Sequence, residues 1–192
     1  MSVSRDRKIL EAAAKLFHER GFAGVSVDEI GVRAGVTGPA IYRHFKGKEE
    51  ILTSLFDEAL DGLLDATVPD GDVGRARLRS IVAGHAEYVV RASELASIWQ
   101  TESSALSPAS RRRFLRRTRS YFERWRTALE DVYPERSDDE IAAAVHCAVT
   151  LIGSLAQWPA NLKGIDDRVA LVTEMTLAAL DAAALPAATP SA

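Results

Sequence analysis

Apolar residues recur at α-helical spacing along nearly the whole chain, and this periodicity limits the fold more than any other feature. Leu10, Ala13, Ala14 and Phe17 follow the i, i+3, i+4, i+7 rule of one helix face. A longer stripe of the same kind occupies residues 51–63. No segment alternates apolar and polar residues over a length that a strand needs, and no internal repeat is found. The sequence therefore predicts an all-α fold of about nine helices.

Capping residues locate the ends of these helices. Ser26 is the expected N-cap of a helix over 27–34, and Thr37 of a short helix through Phe45 with Pro39 in its first turn. Gly21 is expected to end the first helix in the left-handed αL conformation. Later helices are predicted over about 48–65, 74–91, 93–104, 108–132, 138–157 and 166–184, with a turn at 69–72 and chain breaks at 158–159 and Gly164.

Length and composition indicate a soluble protein with its own core. The chain has 192 residues, of which 47% are hydrophobic and 27% charged, so one domain or two small ones are expected. Its one cysteine, Cys147, excludes a disulfide framework and fits a reducing compartment. Neither a signal-peptide pattern nor an apolar run of the ~18 residues that span a bilayer is present, so we expect a cytoplasmic location.

The charge is unevenly distributed along the chain. The formal net charge is −3, but residues 1–50 contain nine Lys and Arg against seven Asp and Glu. The remaining residues contain fifteen against twenty. A mildly basic N-terminal part on an acidic body places any contact with a polyanion in the N-terminal part.

Residues 27–45 form the most informative motif, two short predicted helices separated by a turn with a glycine. This is the pattern of a helix-turn-helix, although a helical hairpin inside a core would produce the same spacing. Apolar residues of both helices can pack together, which leaves a second face free to enter a major groove and contact phosphates. That face consists of Gly38, Pro39, Tyr42 and Arg43, with His44 at its margin.

The stretch GFAGVSVDEIGVRAGVTGPAIYRHFKGKEEIL, residues 21–52, resembles the N-terminal domain of TetR-type transcriptional regulators. The shared motifs are the Gly-Phe turn, Ala-Gly-Val between the two helices, Ile-Tyr-x-His-Phe, and the lysine that begins helix four. The resemblance extends over about residues 5–60. The rest of the chain is similar only in length and helical pattern.

The resemblance implies a homodimer that binds double-stranded operator DNA through its second and third helices. By position, the expected phosphate contacts are Ser26, Thr37, Tyr42, His44 and Lys48, the expected base contacts are Gly38 and Pro39, and Arg43 is a guess as a base reader. Each residue has a structural alternative: Ser26 and Thr37 as helix caps, Tyr42 as a packed ring, and Lys48 as a solvated charge.

The resemblance also divides the chain. Residues 1–50 would be the helix-turn-helix domain, with helix four connecting it to an effector-binding and dimerisation domain over 51–185, and 186–192 a frayed tail. Helices 138–157 and 166–184 are apolar nearly all round, which favours their burial in a homodimer interface over a monomer that covers them itself.

An effector pocket would be lined by aromatic and polar residues set among apolar ones. For each of these residues a place in the ordinary core is the alternative. Few charges converge there, so a lipophilic effector of the acyl-CoA, fatty-acid or sterol-like class is expected rather than a sugar or phosphate. The residues are His85, Tyr88, Trp99, Thr101, Phe114, Tyr121, Trp125, His146 and Trp158.

The function that the sequence favours is a ligand-responsive transcriptional repressor without cofactor or metal. A small helical enzyme is disfavoured, because phosphate-loop, dinucleotide, nucleophile-elbow and metal-ligand motifs are absent. An architectural or division-associated DNA-binding protein of the same fold, with no effector, is the other hypothesis. The arginine run over 111–119 is expected to be a solvated face, balanced by Glu123, Asp131 and Glu135.

Overall fold

The computed structural model describes residues 4–68 and 73–182. Within these residues all regular structure is helical, with ten α-helices, two short 3₁₀ segments and no strand, so the predicted all-α class is confirmed. The predicted turn at 69–72 and the predicted tail at 186–192 lie outside the described residues.

The helices and their bounds follow the chain in order. They are α1 (Arg5–Arg20), α2 (Val27–Ala34), α3 (Gly38–Ile41), α4 (Lys48–Ala66), α5 (Gly74–Arg91), α6 (Ser93–Glu102), α7 (Pro108–Val132), α8 (Asp138–Gly153), α9 (Ala160–Lys163) and α10 (Arg168–Ala182). The 3₁₀ segments Ser103–Ala105 and Ser154–Gln157 directly follow α6 and α8.

Three details differ from the sequence prediction. Gly21 ends α1 at φ 71° and ψ 159°, which is a positive φ but not the αL conformation. The helix after Thr37 ends at Ile41 rather than Phe45, although the His44 and Phe45 N–H groups both still donate to the Ile41 carbonyl (2.9 Å each). A single turn, α9, forms where only a chain break was expected, because Pro159 stands at its N-cap, where no N–H is required.

The chain divides into two compact units. The first combines Met1–Gly62 with Ala92–Arg119, and α6 packs against α1 within it. Its core joins α1, α2, α3 and α4 with the end of α6 and the start of α7, and the large buried side chains include Phe17, Ile30, Ile41 and Phe56. Every side chain of the helix-turn-helix that was expected to face inward is buried or half-buried there.

The second unit combines Leu63–Arg91 with Ser120–Ala192, and α5, α8 and α10 pack on one another within it. Polar contacts reinforce the pairing of α5 with α10, since Arg75 and Arg79 form ion pairs with Asp181 and Glu174. The Tyr133 hydroxyl donates to the same Asp181 carboxylate (2.6 Å). The core of this unit includes the second half of α7, whose Tyr121 and Trp125 are at most 1% exposed.

Candidate functional site

The first candidate site is the exposed side of α3 and the turn after it. Ile41 and Phe45 are buried in the core of the first unit, so the residues between them must point outward. Tyr42 is 59% exposed, and Pro39 and Arg43 are exposed as well. The Tyr42 hydroxyl and the Arg43 guanidinium of this turn are thus both available at the surface, which makes the turn a candidate binding surface.

Glycine at position 31 allows α2 to lie close to the turn and the start of α3. A Cβ atom at Gly31 would lie 3.0 Å from the Val36 carbonyl oxygen, which is backbone and cannot move aside freely. Gly35, between the helices, adopts the αL conformation at φ 69° and ψ 33°. At Gly38 a Cβ atom would meet the tip of the Asp28 side chain (2.6 Å), which can rotate away, so the close crossing depends on Gly31.

Three of the expected contact residues have polar groups that no neighbour uses. The Thr37 hydroxyl, the Tyr42 hydroxyl and the Arg43 guanidinium form no hydrogen bond or ion pair with any described residue. Thr37 is the N-cap residue of α3 as predicted, but its side chain forms no capping hydrogen bond. Pro39 has no N–H to donate and the Ala40 N–H already donates to the Thr37 backbone carbonyl (2.9 Å), so the hydroxyl stays free.

Ser26 has its polar groups engaged within the chain. Its hydroxyl donates to Glu29 Oε2 (2.8 Å) and accepts from Glu29 N (3.2 Å), while the Ser26 N–H donates to the same carboxylate (2.8 Å). This is the full capping box of α2. The Ser26 N–H, then the Arg20 guanidinium and the Ser26 hydroxyl, lower the pKa of Glu29 to about 2.

His44 and Lys48 are also engaged within the first unit. His44 Nδ1 lies 2.5 Å from Oδ1 of Asp6 on α1. The Lys48 ammonium donates to the carbonyls of Phe22 (2.6 Å) and Val25 (2.7 Å) and lies 4.3 Å from the centre of the Phe22 ring. Lys48 thus fastens the start of α4 to the turn between α1 and α2.

We expect Lys48→Met to lower the free energy of unfolding by about 2 kcal/mol, because it deletes two charge-assisted hydrogen bonds. The methionine keeps most of the apolar stem over the Phe22 ring. Urea unfolding of this variant and of Lys46→Met, whose side chain is exposed in the adjacent turn, measures the effect. Equal stability of the two variants would show that the carbonyl contacts contribute nothing.

An open groove of about 620 Å³ adjoins α3 and is lined by two basic side chains that were not among the predicted DNA contacts. Arg5 and Lys8 of α1 line it together with Thr37 and Ala40. Neither cation has a hydrogen-bond or ion-pair partner among the described residues, whereas Arg7 between them pairs with Glu11 (3.0 Å). The sequence feature that could have identified Arg5 and Lys8 is their i, i+3 spacing at the start of α1.

The second candidate site is a buried polar cluster in the second unit, His85 of α5 with Tyr121 and Trp125 of α7. A hydrogen bond of 2.9 Å joins Tyr121 Oη and His85 Nδ1, and the His85 ring meets both aromatic rings edge-on. Burial lowers the pKa of His85 to about 3 and raises the pKa of Tyr121 above its usual range. The cluster is therefore neutral at physiological pH.

The other residues expected to line the effector pocket lie elsewhere. Trp99 and Phe114 stack with Phe56 in the first unit, at centroid distances of 4.5–6.0 Å. Thr101 and His146 are exposed and so line no interior of their own units, because each lies on the outer side of its helix. Tyr88 is buried in α5 and Trp158 is half-buried. Of the nine expected residues, His85, Tyr121 and Trp125 therefore come together in the second unit, and Trp99 and Phe114 in the first.

The buried neutral His85 should make stability depend on pH below 6.5. Its pKa is lower in the folded chain than in the unfolded chain, so the unfolded chain binds the extra proton and stability falls as pH falls from 6.5 towards 3. The slope from this one group is about 1.4 kcal/mol per pH unit. Urea unfolding between pH 7 and 5 should show a slope in the parent chain that His85→Gln lacks, and parallel curves would contradict the assignment.

The arginine run on α7 is not balanced as expected. Arg117 pairs with Asp61 (2.7 Å) and Asp57, and Arg113 with Asp57 (3.5 Å), so the partners lie on α4. The expected partners Glu123 and Asp131 pair instead with Arg126 and Arg77. The correction has a simple cause: α4 is a neighbour of α7 in space, which spacing along α7 does not reveal.

Two further properties of the described residues bear on other functions. No group of three or more His, Cys, Asp or Glu side chains within the described residues is arranged to hold a metal ion. The segment Asp138–Gln157 is long and apolar enough to cross a membrane, with mean hydropathy 1.4, but the core helix of a water-soluble protein meets the same criterion. Only 39% of its most apolar stretch is buried by the chain.

Sequence models of known families match both parts of the chain. The model described as "Bacterial regulatory proteins, tetR family" matches residues 9–55, and the one described as "Tetracyclin repressor-like, C-terminal domain" matches residues 71–161. The HTH-type transcriptional repressor KstR2 of Rhodococcus jostii RHA1 is 32% identical over 134 residues, which are 66% of this chain and 64% of that protein. The alignment thus spans less than two thirds of the curated relative.

Solved structures agree with the family models. The TetR family transcriptional regulator PfmR from Thermus thermophilus superposes with a TM-score of 0.74 at 26% identity, over 98% of this chain and 100% of that one. The Bacillus subtilis regulator FadR, solved in complex with stearoyl-CoA, gives a TM-score of 0.71 at 20% identity over 92% and 96% of the two chains. The second likeness shows the fold alone.

Proposed function

The chain belongs to the TetR family of bacterial transcriptional regulators, and from that premise we propose a ligand-responsive repressor. It binds a palindromic operator as a homodimer and leaves the operator when a small lipophilic effector binds. The observation that supports this most is the set of unpaired polar groups on one side of the first unit. It includes Thr37, Tyr42 and Arg43 beside α3, and Arg5 and Lys8 in the adjoining groove.

In this proposal the eight predicted residues contribute to DNA binding in different ways. Thr37 and Tyr42 donate to phosphates, and Arg43 extends towards base edges or phosphates. Gly38 and Pro39 let the start of α3 approach the bases. Ser26 acts by capping α2, because its hydroxyl and N–H already donate to Glu29. His44 and Lys48 contact α1 and the turn that follows it, and each meets phosphates with the nitrogen or N–H group that these contacts leave over. Arg5 and Lys8 add phosphate contacts along the groove.

The proposed homodimer uses the exposed apolar sides of α8 and α10. On α10, Leu171 is 44% exposed and Met175 52% exposed, followed by exposed Ala178 and Ala179. A second copy of the chain is the occupant that fits, because a two-fold axis places the same apolar stripe opposite itself. The α8 residues on this side are Ala142, Ala143, His146, Cys147 and Thr150, none of which carries a fixed charge.

The effector in this proposal is lipophilic, and residues 51–185 contain both its site and the dimer interface, as the sequence predicts. The second unit has an apolar core with one neutral polar cluster, which suits a largely hydrocarbon ligand. The stearoyl-CoA bound to the structural neighbour FadR supports the same class. The relatives reported above are transcriptional regulators rather than enzymes, which supports a regulatory role and a cytoplasmic location.

Helix α7 provides a route from effector to DNA. Its first half is fixed to α4 in the first unit, where Glu49 Oε1 accepts from Ser107 N (3.1 Å) and Ser110 Oγ (2.7 Å). Its second half contains Tyr121 and Trp125. A ligand that repacks these rings displaces α7, and the contacts at Glu49 transmit that displacement to α4 and to the operator-binding helices.

The proposal is tested by operator binding with and without effector. DNA fragments selected by the protein are labelled, and fluorescence anisotropy measures affinity as lauroyl-CoA, laurate, cholest-4-en-3-one or polar metabolites are added. We expect an inverted repeat among the selected fragments and a loss of affinity of about tenfold or more with one lipophilic compound. Operator binding that no lipophilic compound changes would favour an architectural DNA-binding protein without effector.

A further inference from the structure

The indole N–H of Trp125 is a buried donor without an acceptor. Trp125 is 0% exposed, and its Nε1 atom has no hydrogen-bond partner among the described residues. The Tyr121 hydroxyl lies one helical turn away, and although burial raises the pKa of Tyr121, the nearby indole N–H opposes this rise. The two groups still lack hydrogen-bond geometry, so the N–H is left without an acceptor. Burying a donor without an acceptor is unfavourable, so native structures rarely retain one without a reason.

Its surroundings limit what the missing acceptor can be. Trp125 meets the His85 ring at 6.1 Å and the Tyr121 ring at 6.5 Å, both edge-on, and the neighbouring Ala128 and Leu129 on α7 are fully buried. No ionised side chain forms a hydrogen bond or ion pair with His85, Tyr121 or Trp125 among the described contacts. The surroundings of the indole N–H are therefore apolar, except for the neutral polar groups of these three residues.

We propose that the Trp125 indole N–H is the donor to one neutral carbonyl oxygen of the effector, with the Tyr121 hydroxyl as its neighbour in the same site. This rests on the proposed effector-responsive function and names the ligand chemistry. An indole can only donate, so the ligand must supply an acceptor. A carboxylate would be buried without a cation, which is far less favourable than a buried carbonyl. The class is therefore a lipophilic thioester, ester or ketone, and not a free fatty acid.

The arrangement of the rings suits insertion of such a ligand. The three rings meet edge-on, and among the described contacts the Tyr121–His85 bond is the one between them that has hydrogen-bond geometry. A hydrocarbon chain that inserts between α5 and α7 replaces ring contacts with its own and brings the acceptor that the indole lacks. Trp125 is then a specificity-determining residue, because a ligand without the carbonyl leaves the donor unpaired.

The test compares three probes that differ at the carbonyl. Lauroyl-CoA has a thioester carbonyl, S-dodecyl-CoA is the thioether without it, and laurate is the free acid. By isothermal titration, the intact protein should bind the thioester about tenfold more tightly than the thioether, and laurate more weakly than the thioester. In Trp125→Phe the ratio between thioester and thioether should fall towards one, while in the matched control Trp99→Phe it should persist.

A second measurement does not depend on a variant that folds poorly. In ¹⁵N-labelled protein, the Trp125 indole N–H resonance, assigned with Trp99→Phe and Trp158→Phe, should move downfield with lauroyl-CoA and not with the thioether. Equal binding of thioester and thioether, or tighter binding of laurate, would overturn the carbonyl assignment and leave the proposed lipophilic effector intact. Failure of all three probes and of cholest-4-en-3-one to bind would overturn both proposals.

Discussion

Replacing Tyr42 with alanine is expected to weaken operator binding roughly 100-fold, because a dimer loses two hydrogen bonds to phosphate of about 1.5 kcal/mol each. The side chain is 59% exposed and its hydroxyl has no partner among the described residues. The substitution removes nothing that the fold needs, so the melting temperature should stay unchanged. Fluorescence anisotropy on a selected operator, with thermal unfolding in parallel, measures both quantities.

Two further variants separate the possible causes of that loss. Tyr42→Phe keeps the ring and removes the hydroxyl, so it should account for most of the effect if phosphate bonding is the reason. Val32→Ala, on the same unit and 83% exposed, is the matched surface control and should bind as the parent does. If Tyr42→Ala binds the operator as tightly as the parent protein does, α3 is not part of the DNA-binding surface.

The double substitution Leu171→Glu with Met175→Glu is expected to weaken the homodimer by roughly 100-fold or more. In the proposed two-fold interface it places four carboxylates among apolar side chains. Both side chains are about half exposed in the single chain, so the fold of the monomer should survive. Sedimentation velocity across a range of protein concentrations measures the dimer, and operator affinity should fall with it.

Leu162→Glu is the matched control for the dimer prediction. Leu162 lies on α9 in the same unit and is 37% exposed, so a carboxylate there should leave dimerisation unchanged. If the α10 variant remains dimeric, the interface lies elsewhere on the chain. If both variants dissociate, the loss reflects general surface charge rather than the α10 stripe.

Features that depend on local sequence were predictable. Ser26 is the N-cap of α2 as predicted, and the predicted helices over 74–91 and 108–132 have those bounds in the structure. A cap and the first turn of its helix are set by residues within four positions of one another. Tyr121 and Trp125 were candidates for a pocket or for the ordinary core, and both are buried.

Contacts between residues distant in the chain were not predictable from spacing. Lys48 meets carbonyls 23 and 26 residues away, and Glu49 accepts from Ser107 and Ser110 58 and 61 residues away. Which acids pair with the α7 arginines likewise depends on how α4 and α7 lie side by side. Arg5 and Lys8 were not predicted, because two cations in the first turn of a helix are a weak sequence signal. Only the folded groove places them beside Thr37.

Hydroxyl-radical footprinting on a selected fragment measures whether two copies of α3 enter successive major grooves of one operator. We expect two protected patches, related by a two-fold axis and centred about one helical turn apart, ~10 base pairs. Both patches should disappear together with Tyr42→Ala. A single patch, or protection that Tyr42→Ala leaves unchanged, would show that the two copies of α3 do not bind DNA in this way.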